Sequence, residues 1–286
     1  LYLGGAENLK KKKYILRLDG LNFDIKDNQN RNKQHHKLRE NIEYSKGIIF
    51  ISYFSMNLFK SFFGEINKPI EVINNGVSLD HFNRTGDNYR KALGIADEDF
   101  VIVSSARWRR HKRLNETIEF FEMLRLKNPE TNYKLIILGK NTIKNYNHKD
   151  IYFAGDIDYK NLPKWYRTGN VFLHLAWIEP AGNSHLEAIA CGLPVLCTNN
   201  GGINETVIST NSGVVSKADD EYLLDLVDFY NPPRPNFEIL FRDFMDLKKN
   251  LTSYPKNIKL DSIDIDIIAK KYFNFIQKIY EINFPN

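Results

Sequence analysis

Glu179 and Glu187 stand eight residues apart in EPAGNSHLEAIACGLPVLCTNNGG (179–202), with Gly182 between them. Gly182 falls at the mouth of a predicted helix, where no side chain blocks the approach of a ligand. The first helical residues, Asn183, Ser184 and His185, carry backbone N–H groups without intrahelical partners. Such an end, with its aligned peptide dipoles, favours a phosphate or another anion. Leu186, Ile189 and Ala190 recur at helical spacing as the inward face, and Gly192 and Pro194 end the helix. Glu187 lies one turn beyond Asn183, and Glu179 sits on the loop leaving the apolar strand VFLHLAW (171–177). Carboxylates repel an anion, so beside one they are suited to accept hydrogen bonds from hydroxyls, as on a ribose or a hexose. The same residues would also make a plain strand–loop–helix unit with a buried capping Glu.

The segment resembles the signature of the retaining nucleotide-sugar glycosyltransferases of family four, which have the GT-B fold. Its residues Glu179, Gly182, Glu187, Ala188, Ala190, Gly192, Pro194 and Val195 match that signature in order. The resemblance implies an α/β fold of two Rossmann-like domains. It implies transfer of a sugar from a UDP-, GDP- or ADP-linked donor to an acceptor that the sequence does not name. Catalysis then falls to Arg107, Lys112 and Glu179, without a metal or other cofactor. Arg107 and Lys112, in ARWRRHKRLNETIEFFEML (106–124), occupy the positions of the family's Arg and Lys that grip the donor diphosphate. Fixed cations suit a leaving group that gains negative charge as the glycosidic bond breaks, Arg through its planar fork and Lys as a point charge. Arg109, Arg110 and Arg113 crowd the pair, and Arg113 replaces a usual Gly. A solvated basic loop would use the same residues. Donor contacts are further expected from Gly182, Asn183, Ser184, His185, Glu187, the strand-end Gly139, and Phe153 on the base side. Glu187 is assigned the ribose hydroxyls and Glu179 those of the donor sugar.

The elements that would position these groups alternate along the chain. Strands are predicted at 13–18, 47–52 and 69–74, with helices at 36–46 and 53–63 between them; this order predicts a parallel sheet covered by helices. Residues 1–82 read as a shortened, acceptor-side Rossmann-like domain. Gly4-Gly5-Ala6-Glu7 resembles the family's early Gly-Gly loop. Asp19, followed by Gly20, stands where relatives have a His near the transferred sugar, and serves either as a sugar contact or as a turn former. Asn74-Asn75-Gly76-Val77 matches the family's hinge. Residues 83–260 read as the donor domain, with buried strands at 100–106, 133–139 and 151–155, and with Pro163 opening a helix. Gly201-Gly202-Ile203-Asn204-Glu205 matches a turn that closes beneath the donor site. Residues 261–286 are expected to form a helix that crosses back to the first domain.

Composition narrows the class. The chain has 286 residues, enough for two ordinary domains, and a net charge of +5 too diffuse for a nucleic-acid partner. The densest basic run, Lys10–Lys13, reads as a solvated edge or as an attraction to anionic lipid headgroups. No apolar run approaches a membrane span, and no signal peptide is read in the sequence, which starts at Leu1 without Met. Cys191 and Cys197 fall at core positions, which argues against a disulfide scaffold and for a reducing compartment. A cytoplasmic protein, with peripheral association to the membrane surface, is the expectation. Asp156-x-Asp158 and Asp264-x-Asp266 have a metal-binding pattern but are read as a turn and a helix cap. Two other functions share these features: a nucleotide-sugar-binding subunit that needs a partner for catalysis, and a GT-B nucleotide-sugar epimerase.

Overall fold

The computed structural model describes residues 2, 3, 13–140 and 148–283. The Gly4–Glu7 loop and Lys10 to Lys12 lie outside the described residues. Two lobes are built on two parallel sheets. The first sheet has four strands in chain order, β1 (Tyr2–Leu3), β2 (Ile15–Leu18), β3 (Gly47–Phe50) and β4 (Ile70–Val72). It carries α1 (Asn28–Tyr44) and α2 (Tyr53–Phe63). Helix α1 starts well before the predicted 36, because the polar run from Asn28 to Gln34 has no apolar period to announce it. Strand alternation sorts the core of this lobe. Ile48 and Phe50 face α1 and α2 beside Leu38 and Phe59, while Ile15, Ile49 and Ile73 face the other way.

That other face is covered by the last helix of the chain, α9 (Ile265–Asn283), through Ile268, Phe275 and Ile279. Each such buried side chain contributes on the order of 1.5–3 kcal/mol. Gly76 is dictated by this packing, since a Cβ there would stand 2.9 Å from the α-carbon of Ile265.

The second sheet has six parallel strands, β5 (Phe100–Ser105), β6 (Tyr133–Leu138), β7 (Ile151–Gly155), β8 (Val171–His174), β9 (Val195–Thr198) and β10 (Gly213–Ser216). Their spatial order is β10-β9-β8-β5-β6-β7. Numbered within the lobe and read from the far edge this is 3-2-1-4-5-6, the doubly wound arrangement in which the direction of winding reverses between the first and fourth strands. The connecting helices are α3 (Leu114–Lys127), α4 (Leu162–Tyr166), α5 (Ser184–Ala190) and α6 (Ile203–Ser209), with α7 (Phe237–Lys249) and α8 (Tyr254–Asn257) following. Val77 and Phe82, assigned by sequence to the first domain, are buried with Val101, Val103 and Phe172 in the second lobe. The boundary therefore falls before Val77.

The lobes also touch through side chains outside the last helix. Phe23, Leu58, Ile178 and Val227 form a shared apolar cluster. The Glu205 carboxylate crosses over to accept hydrogen bonds from the Tyr53 (2.9 Å) and Phe54 (2.7 Å) backbone N–H groups, capping α2 from the other lobe. Its turn, read by sequence as closing the donor site, thus also braces the first lobe. Among the described residues no helix is long and apolar enough to cross a membrane.

Candidate functional site

The winding reversal leaves a crevice outside the carboxyl ends of β5 and β8, the place where ligands bind in sheets of this kind. Here it opens into a cleft of about 1640 Å³ between the lobes. Ser105 and His174, the last residues of these two strands, form part of its wall. Gly139, the strand-end glycine of β6, lines it too, at φ +96°, where an added Cβ would run into the Ala106 carbonyl.

The loop leaving β5 is pinned by Trp108, whose buried indole N–H donates to the Leu138 carbonyl at 2.8 Å. Beyond it the crowded cations separate. Arg110 pairs with Glu116 through two hydrogen bonds of 3.0 and 2.6 Å. Arg113 has φ +57°, the left-handed conformation that explains the glycine usual at this position. Its guanidinium is buried and grips Asp219 in bidentate fashion at 2.9 and 2.8 Å, with the carbonyls of Leu175 and Pro233 as further acceptors. Arg107, Arg109 and Lys112 are left facing the cleft.

Lys112 forms an ion pair with Glu179. Burial, and secondarily the nearby Arg109, lower the Lys112 ammonium to about 8, while the adjoining carboxylate favours its charged form. Sequence reasoning gave the two residues separate partners. The structure instead couples them, because opposite charges drawn out of water neutralise one another when no ligand intervenes. The Glu179 backbone is held as well, its carbonyl accepting from Gly202 N–H at 2.8 Å.

Across the cleft, Gly182, Asn183, Ser184 and Glu187 contribute to the wall. Helix α5 begins at Ser184, with Asn183 as its cap residue, yet the Asn183 side chain makes no capping bond. Glu187 accepts a 2.8 Å hydrogen bond from the Tyr166 hydroxyl. Burial raises the Glu187 pKa, and the Tyr166 phenol is raised well above its ordinary value, chiefly by burial and then by the Glu187 charge. For His185 only the backbone N–H was expected to serve a ligand, and the side chain lies elsewhere. Its ring is 1% exposed, lies under the helix without a hydrogen-bond partner on either nitrogen among the described residues, and does not reach the cleft. Burial lowers its pKa to about 3, so it is neutral.

Phe153 was expected on the base side through the backbone of its strand, and its side chain plays no part in the cleft wall. Strand parity sends its side chain to the core face beside Phe121 and Tyr133, while Asp156 and Ile157 line that end of the cleft. Asp19 does line the cleft, in an ion pair with Arg17. Arg17, Tyr272 and the buried His174 are cleft residues that the sequence reading did not single out, and Asn75, read there only as part of the hinge, lines the cleft with them. The available signals were a lone Arg in an apolar strand and a lone His in another. Asp264 accepts from Asp266 N–H at 2.9 Å, in keeping with the helix start read for it, whereas Asp156 accepts from the Lys140 N–H at 2.9 Å, across to the exit of β6 rather than within its own turn.

Comparison with known proteins places this geometry. The family model described as glycosyl transferases group 1 matches residues 86–229, half of the chain. The N-acetyl-alpha-D-glucosaminyl L-malate synthase of Bacillus anthracis is 26% identical over 164 residues, 54% of this chain and 42% of that protein. A GDP-mannose-dependent phosphatidylinositol monomannoside mannosyltransferase of Corynebacterium glutamicum is 26% identical over 203 residues, 63% of this chain and 52% of that one. The chain thus spans about half the length of these curated relatives. Among solved structures, sucrose-phosphate synthase from Thermosynechococcus elongatus superposes with a TM-score of 0.71 at 16% identity, covering 94% of this chain and 68% of that one. Anabaena HepE in complex with UDP superposes with a TM-score of 0.70 at 17% identity, covering 92% and 72%. The fold is GT-B.

Proposed function

From a chain that belongs to the glycosyl transferases group 1 family, we propose a retaining, metal-independent enzyme that moves a sugar from a nucleoside-diphosphate sugar to an acceptor. One observation carries this: of the five cations between 107 and 113, only Arg107, Arg109 and Lys112 face the cleft, and Gly182 and Glu187 line the same cleft. A diphosphate beside these cations would gain charge-assisted hydrogen bonds. Glu187, held by Tyr166, would accept from the ribose hydroxyls. Glu179, released as the diphosphate takes over Lys112, would accept from the donor sugar. In the transfer, the bond from the anomeric carbon to the phosphate oxygen breaks as a bond to the acceptor oxygen forms on the same face. The acceptor hydroxyl proton passes to the departing phosphate. At about 1640 Å³ the cleft exceeds the roughly 300–1,000 Å³ of ordinary small-ligand sites, leaving room for a second reactant. The mannosyltransferase and HepE, named with GDP-mannose and UDP, agree with a nucleotide-linked donor. A cytoplasmic location, with contact to the membrane surface, is part of the proposal.

Thermal-shift titration with UDP, GDP, ADP and their sugars tests the donor, since a ligand of the folded state raises the melting point. Glu187→Ala should then weaken binding of the nucleotide that scores. Lys112→Ala should slow donor turnover, hydrolysis included, by about 10²–10³-fold, the scale of losing one preorganised charge-stabilising group. Unchanged binding and turnover in both variants would sink the proposal. A second reading is a subunit that binds nucleotide but transfers only with a partner. It is recognised by a nucleotide-induced shift in a protein that neither hydrolyses nor transfers the donor alone.

A further inference from the structure

A line of side chains runs across the floor of the cleft, from the first lobe to the second. Arg17, at the end of β2, is held in an ion pair with Asp19 and donates through Nε to the Tyr272 oxygen of α9 at 2.7 Å. Its Nη2 donates to Asn75 Oδ1 at 2.7 Å, and Asn75 Nδ2 in turn donates to Asn183 Oδ1 at 3.0 Å.

A guanidinium has donors only. It therefore requires an oxygen from Asn75, which turns the Asn75 amide nitrogen towards Asn183. Asn183 must meet that nitrogen with its own oxygen, and its Nδ2 is left without a partner among the described residues, at the cleft wall. The same logic applies to Tyr272. Its oxygen accepts from Arg17, so its hydroxyl hydrogen is directed elsewhere. The Asn183 oxygen is turned to Asn75 and makes no capping bond to α5.

We infer that Arg17 is a positioning residue that sets the hydrogen-bond polarity of the cleft floor, so that Asn183 presents a donor group to an oxygen of the bound phosphate or sugar. This rests on the donor reading of the site. Arg17 acts through Asn75 and Asn183, and its effect on a ligand should exist only while Asn183 is present.

A double-mutant cycle separates this from a bulk charge or folding effect. UDP, GDP and ADP are titrated by calorimetry into the unaltered chain, Arg17→Gln, Asn75→Ala, Asn183→Ala and the two doubles that combine Asn183→Ala with each of the others. Loss of one net hydrogen bond predicts about a five- to ten-fold weaker affinity for Arg17→Gln and Asn75→Ala. In the Asn183→Ala background neither should weaken binding further. Asn75→Ala changes no charge and does not disturb the Arg17–Asp19 pair, so it remains informative if Arg17→Gln folds poorly. Equal weakening in both backgrounds, or none in either, overturns the relay while leaving the donor site intact. No binding of any nucleotide to the unaltered chain removes the donor reading and the relay together.

Discussion

Lys112 and Arg113 are adjacent in sequence, and each is paired with a carboxylate, but the two pairs are built differently. Arg113 and Asp219 are 0% and 1% exposed, bidentate, and supplemented by two backbone carbonyls. Lys112 and Glu179 keep 15% and 17% exposure at the wall of a cleft and meet through one ammonium. A buried pair whose hydrogen bonds are nearly all satisfied ties the β5 exit loop to the 219 and 233 segments. A pair at a cleft wall, with spare acceptor and donor capacity, is one that a ligand can divide. Similar charge chemistry gives a tie in one place and a poised site in the other.

The largest effect should come from breaking the tie. Arg113→Met leaves Asp219 as an uncompensated buried charge and should cost about 3–5 kcal/mol, read as a lowered denaturation midpoint at an unchanged slope. Nucleotide affinity of the folded fraction should stay within about two-fold, since the site keeps Arg107, Arg109 and Lys112; a large drop in affinity without a drop in stability would reverse the assigned roles.

A smaller and more specific effect is expected from pH. The Lys112 ammonium is lowered to about 8 from an ordinary 10.5, so the folded state holds fewer protons than the unfolded state between those values. Its contribution therefore disfavours folding below pH 8, and that penalty is relieved as pH rises towards 10.5. Anion binding runs the other way: the cation is present below 8 and lost above it. Nucleotide affinity should fall about ten-fold per pH unit beyond 8 if binding requires the charged form, and Lys112→Arg should abolish the fall. A pH-independent affinity from 7 to 9.5 in the unaltered chain would mean that Lys112 does not meet the anion.

The contrast also shows what was legible beforehand. The strands of the second lobe and the helix that starts after Gly182 follow from apolar runs, glycines and turn residues, which act locally. Which cations face the cleft does not follow. Arg110 and Arg113 are removed by Glu116, nearby, and Asp219, over a hundred residues away, and nothing in a run of bases announces either. The same limit hid Arg17, whose partners Asn75 and Tyr272 meet it only through the hinge and the returning helix. For Phe153 the strand was found, but the face on which its side chain projects depends on where the sheet is covered. His185 was placed in the first turn of its helix, where it lies, while the burial of its ring was not foreseen.

The smallest expected change separates two glycines of the site. Gly139 is conformationally committed, at positive φ with the Ala106 carbonyl in the way of a Cβ, so Gly139→Ala should destabilise the chain whatever the ligand. Gly182 is not. A Cβ there would find its nearest protein atom, His185 Nδ1, at 3.5 Å, an ordinary contact, and no positive φ forbids it. Gly182→Ala should therefore shift stability by no more than about 0.5 kcal/mol. If a ligand packs against this backbone, the methyl group must still obstruct it, and nucleotide-sugar affinity should fall while the melting temperature of the free protein stays put. Unchanged affinity would move the ligand away from the start of α5 and leave the cations at 107–112 to define where it lies.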